Sequence, residues 1–248
     1  MDRARRWGWL QHLLRAIVDL TWVFLPSDCV ACGAHDAILC RGCTGELHRS
    51  TAHPFRAEEA AEALPLDLET FSVLPVWAAG LYKGHVSASI LAFKNHERYS
   101  LRKELGRVLA RCLREAIEGV GLEPGERLLI VPVPASVASV RKRGYRPVNV
   151  LLDVAMQNFR SSEQVEVAQL LRVSSSRTSA HQGAGARDRR SRRGTMTVVL
   201  ASPPNCKVLI VDDVLTTGST VARAHQALAG AGYDVRGAAV LAATQSPR

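Results

Sequence analysis

The chain has 248 residues, 47% of them apolar and 22% charged. That balance excludes wholesale disorder and fits one large domain or two modest ones. No 18-residue stretch is free of charge, which excludes a conventional spanning helix, and 32 Lys+Arg against 23 Asp+Glu give a net charge of +9 that permits an anionic partner without choosing one.

Arg3, Arg5 and Arg6 precede an apolar run, as in a signal peptide, but Arg15 and Asp19 interrupt it and no small-x-small cleavage site follows. Leu10, Leu13, Leu14, Ile17 and Val18 recur at helical spacing, so residues 10–25 are expected to form an amphipathic helix packed on the body of the protein, with peripheral membrane contact as the alternative. Four cysteines follow within fifteen residues. Residues 51–75, broken by Pro54, Pro65 and Pro75, read as a linker or a short helix between proline breaks. The expected organisation is therefore residues 1–50 as helix and zinc knuckle, 51–75 as linker, and 76–248 as an α/β domain.

In that last zone strands are expected at 76–82, 127–134, 170–173, 196–200, 207–212 and 235–242. Helices are expected at 86–93, 101–117, 147–159 and 219–229. Residues 127–134 and 207–212 are continuous apolar runs, as strands buried on both faces require. Alternating strands and helices predict an α/β fold, a parallel sheet flanked by helices. Residues 174–194 are polar and carry Arg187, Arg189, Arg190, Arg192 and Arg193. So long a stretch reads as a mobile lid, a single-stranded DNA contact or a plain linker. The absence of aromatics between Ser161 and Ser202 speaks against DNA.

Cys29-x-x-Cys32 and Cys40-x-x-Cys43 are two paired-thiol turns. A two-residue gap lets both sulfurs of a pair face one ion, and two pairs close a tetrahedron with no position left for water. The expectation is structural zinc on Cys29, Cys32, Cys40 and Cys43, with His35 able to replace one thiol. Cys112 and Cys206 read as small buried hydrophobes. A thiol cluster without an export signal predicts the reducing cytosol.

Residues 208–220 (VLIVDDVLTTGST) carry the most chemistry. Four aliphatics form a strand, and Asp212 and Asp213 sit at its carboxyl end, where ligands bind in open parallel sheets. Thr216, Thr217, Gly218, Ser219 and Thr220 would wrap N–H groups and hydroxyls around a phosphate at a helix N-terminus. Two carboxylates would repel that phosphate, but they suit sugar hydroxyls and water-held Mg²⁺. The combination points to a sugar phosphate. Arg141, Lys142 and Arg143 follow the strand 127–134 and could reach the same crevice, where cations would stabilise departing pyrophosphate. No Gly-x4-Gly-Lys-Ser/Thr loop is present, which excludes a nucleotide hydrolase of that type.

This segment closely resembles the signature of type I phosphoribosyltransferases, which bind 5-phosphoribosyl-1-pyrophosphate (PRPP). The resemblance implies that Asp212 and Asp213 meet the ribose hydroxyls and Mg²⁺. It places Val214, Leu215, Thr216, Thr217, Gly218, Ser219 and Thr220 in the PRPP-binding segment, with Lys142 and Arg143 facing pyrophosphate. A four-cysteine knuckle ahead of such a domain resembles the ComF/GntX competence-protein family. So do Tyr82-Lys83-Gly84 with Lys94, Val131-Pro132-Val133-Pro134 followed by Arg141, Arg143 and Gly144-Tyr145, and Gln182 with Arg190. Two departures fall on the pyrophosphate and acceptor side: Arg146-Pro147 stand where the family usually has Asn-Gln, and Arg193 where an Asn is common. The implied activity is Mg²⁺-dependent transfer of phosphoribose to an unidentified acceptor, in a setting of competence and DNA uptake. The alternative is a non-catalytic PRPP or nucleotide sensor that docks single-stranded DNA or a DNA-uptake helicase.

Overall fold

The computed structural model describes residues 28–67, 71–95, 98–159, 164–173, 196–199 and 206–244. The helix expected at 10–25 and the arginine-rich stretch 174–194 lie outside these residues. After the cysteine loop come α1 (Arg41–Ser50), β1 (Phe55–Arg56), the hairpin β2 (Leu66–Asp67) and β3 (Ser72–Val73), and β4 (Val76–Leu81). Then follow α2 (Gly84–Lys94), α3 (Arg102–Val120), β5 (Arg127–Pro132), α4 (Val137–Arg143), α5 (Pro147–Ala155), β6 (Val165–Val167), β7 (Leu171–Val173) and β8 (Met196–Val198). The last elements are β9 (Cys206–Leu215), α6 (Ser219–Gly230) and β10 (Asp234–Ala243).

The main sheet has the order β1-β4-β10-β9-β5-β6, parallel throughout except for β1 at one edge. Residues Val208, Leu209, Ile210 and Val211 of β9 are fully buried because both faces are covered. On one face α3 and α5 pack Leu105, Leu109, Leu113, Leu151 and Leu152 against Leu209, Val211 and Leu241. On the other, Val221, Ala224 and Leu228 of α6 pack against Val208, Ile210 and Val240. The i, i+3, i+4 spacing of the buried α3 residues is what makes that helix amphipathic.

The strands expected at 170–173 and 196–200 pair with each other as the antiparallel ribbon β7–β8 and take no part in the parallel sheet. Their alternating exposure, one side chain in and one out, suits a ribbon lying on α6 rather than a central strand. Residues 51–75, expected as a linker, carry β1, and Ala57 and Ala61 are buried in the core. The Ala57 N–H donates to the Val76 carbonyl at 2.7 Å, and the Ala63 N–H donates to the Thr217 carbonyl at 2.9 Å. Among the described residues, no helix is long and apolar enough to cross a membrane.

The sheet order determines where a ligand can sit. From β5 the chain moves outward to β6, whereas from β9 it moves the other way to β10. Adjacent strands whose connections diverge open a crevice beyond their carboxyl ends.

Candidate functional site

That crevice is a cleft of about 310 Å³ between the ends of β5 and β9. Asp212, Asp213, Val214 and Thr220 line it on the β9 side. Val133, Pro134, Ser136, Arg143, Arg146 and Asn149 line it on the β5 side, and Lys94 enters from the end of α2. The Lys94 Nζ lies 2.8 Å from Asp213 Oδ2, and the Asp213 N–H donates to Asp212 Oδ1 at 2.8 Å. Burial pushes the Asp212 carboxyl up to about 7, and the Asp213 charge beside it adds to the rise. The Asp213 N–H and the charges of Lys94 and Arg223 oppose it.

This has a consequence for stability. The ordinary carboxyl value is 3.8, so the folded chain keeps a proton on Asp212 that the unfolded chain has lost. The stabilisation is complete below pH 4 and disappears as the pH rises through about 7. Asp212→Asn is therefore expected to stabilise the ligand-free protein by about 2–4 kcal/mol at pH 8, the gain fading towards pH 4. Thermal melts of the two proteins across that range measure the difference, and a gap that does not grow with pH contradicts it.

The cleft walls are held by a cluster of rings. Tyr145 is buried, its hydroxyl donates to the Phe93 carbonyl, and its ring centroid lies 5.4 Å from Phe93 and 5.2 Å from Tyr99. Phe93 precedes Lys94, and Tyr145 stands between Arg143 and Arg146. One contact thus ties the end of α2 to the loop that carries the two arginines.

The turn after β9 is shaped by Gly218. Its φ of 80° falls in the left-handed region, and a Cβ there would stand 2.8 Å from the Leu64 side chain and 3.2 Å from the Ala61 Cβ. Only glycine meets both demands. The exposed Thr217 Oγ1 accepts the Ser219 N–H at 3.4 Å, and α6 starts at Ser219. Gly218→Ala is expected to cost about 2 kcal/mol, from left-handed strain and the contact with Leu64. Any phosphate ester held by the turn's N–H groups should bind at least ~10-fold more weakly to that variant. Chemical denaturation and ligand titration read the two effects separately.

The structure thus brings Asp212, Asp213, Val214, Thr220 and Arg143 to one cleft, with Thr216, Thr217, Gly218 and Ser219 in the contiguous turn. Leu215 is 2% exposed and packs in the core. Lys142 is exposed and outside the cleft lining, whereas Arg146 and Lys94 belong to it. The sequence marks Arg146 only as a departure from a motif and Lys94 only as part of one. Nothing local in the sequence says that the end of α2 reaches β9.

The second cluster is the cysteine loop. The Sγ atoms of Cys29, Cys32, Cys40 and Cys43 all lie within 4.8 Å of one another, with Cys32 and Cys40 at 3.7 Å. A tetrahedral ion with metal–sulfur bonds of about 2.3 Å separates its ligands by about 3.8 Å, so the group fits such an ion. Burial pushes the Cys29 thiol up, but N–H donors from Cys40, Ala31 and Cys32 outweigh it and bring it down to about 6. Those donors favour the thiolate that a metal requires. His35 faces Asp28 at 2.7 Å and is not part of the group. The loop feeds α1, whose Leu47 is fully buried. Arg111 of α3 donates to Thr51 Oγ1 at 2.8 Å, and His48 pairs with Glu104 at 2.7 Å, so α1 is fastened to the α/β core.

Residues 108–248 match the family model of the phosphoribosyl transferase domain. Shorter stretches resemble curated proteins. One is 53% identical over 51 residues to the adenine phosphoribosyltransferase of Frankia alni, covering 19% of this chain and 27% of that protein. Another is 42% identical over 55 residues to the orotate phosphoribosyltransferase of Aeropyrum pernix, covering 22% and 30%. A third is 61% identical over 41 residues to the adenine phosphoribosyltransferase of a Parafrankia species, covering 16% and 22%. Each match spans less than a third of the relative's own length. The family model, however, covers more than half of this chain and takes in β5, β9 and the turn between the paired carboxylates and α6, and on that match the chain belongs to the phosphoribosyl transferase domain family.

Proposed function

We propose that the protein binds PRPP with Mg²⁺ and transfers its phosphoribosyl group to an acceptor, releasing pyrophosphate. The observation that carries this reading is the pair Asp212–Asp213 at the end of β9, next to a hydroxyl-rich turn on one side and cations on the other. Asp212 and Asp213 accept hydrogen bonds from the two ribose hydroxyls. Backbone N–H groups and hydroxyls of Thr216 to Thr220 hold the 5-phosphate at the start of α6. Arg143, with Arg146 and Lys94, faces the pyrophosphate and stabilises its charge as the C1–O bond breaks. Mg²⁺, when bound, supplies charge neutralisation for the same leaving group. Lys94 must loosen from Asp213 for the carboxylate to meet the sugar, so it serves as a counter-ion that ligand binding displaces.

The relatives are named for adenine and orotate. An acceptor with a nucleophilic ring nitrogen is accordingly the first class to screen here. The four thiols hold structural zinc in this reading, as a closed site with no catalytic position. The knuckle ahead of the transferase domain supports membership of the ComF/GntX branch, and with it a role in DNA uptake.

Calorimetric titration of the zinc-loaded protein with PRPP and Mg²⁺ tests the site. Micromolar binding is expected, followed by acceptor-dependent pyrophosphate release in the screen. Binding without release for any acceptor leaves a PRPP sensor. No binding by the folded protein overturns the reading.

A further inference from the structure

A second cleft that bears cations lies apart from the one at Asp212. It has a volume of about 720 Å³ and lies at the amino-terminal ends of β4 and β10. On β10, Asp234 is in register with Lys207 and Val240 with Asp212. Six residues at about 3.3 Å each put the two clefts about 20 Å apart. The second cleft reaches around the sheet edge, touching the end of α3 on one face and α6 with the β2–β3 hairpin on the other.

Its floor is Trp77, a residue only 7% exposed. The indole is slotted between Gly119 of α3 and Gly237 of β10, where a Cβ would stand 2.4 Å and 2.7 Å from its ring. Two elements thus forgo side chains to admit one large ring. Arg56 is fixed over that ring, its guanidinium carbon 5.0 Å from the centroid, and paired with Glu58 at 2.5 Å. An arginine so held keeps further N–H donors in a set orientation. Arg236 is 48% exposed and meets Asp234 only at 3.6 Å, a surface pair of little strength that an incoming anion can displace. The same cleft is lined by Leu66 of the hairpin, which is 51% exposed, and by the buried Leu74 that follows it.

We propose that this cleft is a second ligand site, for a phosphomonoester carrying a planar ring with apolar faces, the chemistry of a mononucleotide. Arginine forks suit the phosphate. The apolar hairpin wall suits the ring. The volume lies in the range of small-molecule pockets and far exceeds that of a bare ion. The site shares no lining residue with the cleft at Asp212, so it does not depend on the transferase reading.

The test is calorimetric titration of the full chain with AMP, with inorganic phosphate and adenosine as partial probes. AMP is expected to bind at least 10-fold more tightly than either part. Arg236→Glu, and separately Arg236→Ser, should weaken AMP at least 10-fold, with thermal melts confirming that both variants fold. Because AMP carries the ribose 5-phosphate that the first cleft is proposed to hold, these titrations are made in the Asp212→Asn/Asp213→Asn background, where AMP should still bind. No AMP binding, equal affinity for inorganic phosphate, insensitivity to both Arg236 variants, or loss in the Asp212/Asp213 variant each overturns the proposal. PRPP titration of the Arg236 variants with Asp212 and Asp213 intact reads the transferase site independently.

Discussion

Asp212→Asn/Asp213→Asn is expected to lower PRPP affinity by roughly 10²–10⁴-fold while leaving the protein folded. In the proposed complex each carboxylate would offer the ribose a charged acceptor, and such hydrogen bonds contribute about 1.5–3 kcal/mol each. Two together amount to about 3–6 kcal/mol, and every 1.4 kcal/mol is tenfold in affinity. Asparagine fills the same space, so the packing at the end of β9 is preserved. The ligand-free fold should even gain stability, because the like charges at Asp212 and Asp213 are a strain that burial intensifies. Loss of binding with a raised melting temperature would separate function from folding in one variant. Unchanged PRPP affinity would show that the paired carboxylates do not meet the sugar.

The second large effect is expected at the knuckle. Cys43→Ser, or a strong chelator acting on the wild type, should reduce bound zinc from one per chain to none and lower the melting temperature by on the order of 10 °C. Val30, Ile38 and Leu39 of the cysteine loop are only partly buried against the core, and Cys29 and Cys43 are its buried members. An ion held by the four thiols would join residues 29–43 into a unit. Its loss frees the start of α1, and Leu47 with the Arg111–Thr51 contact is the next support to weaken. Elemental analysis beside thermal melts checks both parts. A zinc-free protein that melts normally would mean that α1 is held by its contacts with α3 alone.

Much of this architecture could be read from the chain because the signals were local. The run VLIV in β9 and the helical spacing of Leu105, Val108, Leu109 and Cys112 in α3 each state a burial pattern within a few residues. The same holds for the pairing of carboxylates with a Thr-Gly turn and for the two Cys-x-x-Cys steps. What stayed hidden depends on contacts between distant segments. β1 is two residues long, too short for any period to show, and it exists because β4 offers an edge. Ala57 and Ala61 look like linker residues until the fold buries both in the core, with Ala61 beside Gly218. Lys94 and Arg146 enter the cleft through the ring contacts of Tyr145, a placement that only the assembled helices determine.

The order of strands also bears on how the chain is made. β4 lies between β1 and β10, yet β10 is about 150 residues further along. At ribosomal rates of about 5–20 residues per second, roughly 8–30 s pass before that partner exists. During this time the open edge of β4, with five of its six residues destined for burial, is available to other chains. High-level expression of this protein should therefore favour inclusion bodies, and slowing synthesis by cooling, or adding a chaperone that covers extended apolar segments, should raise the soluble yield.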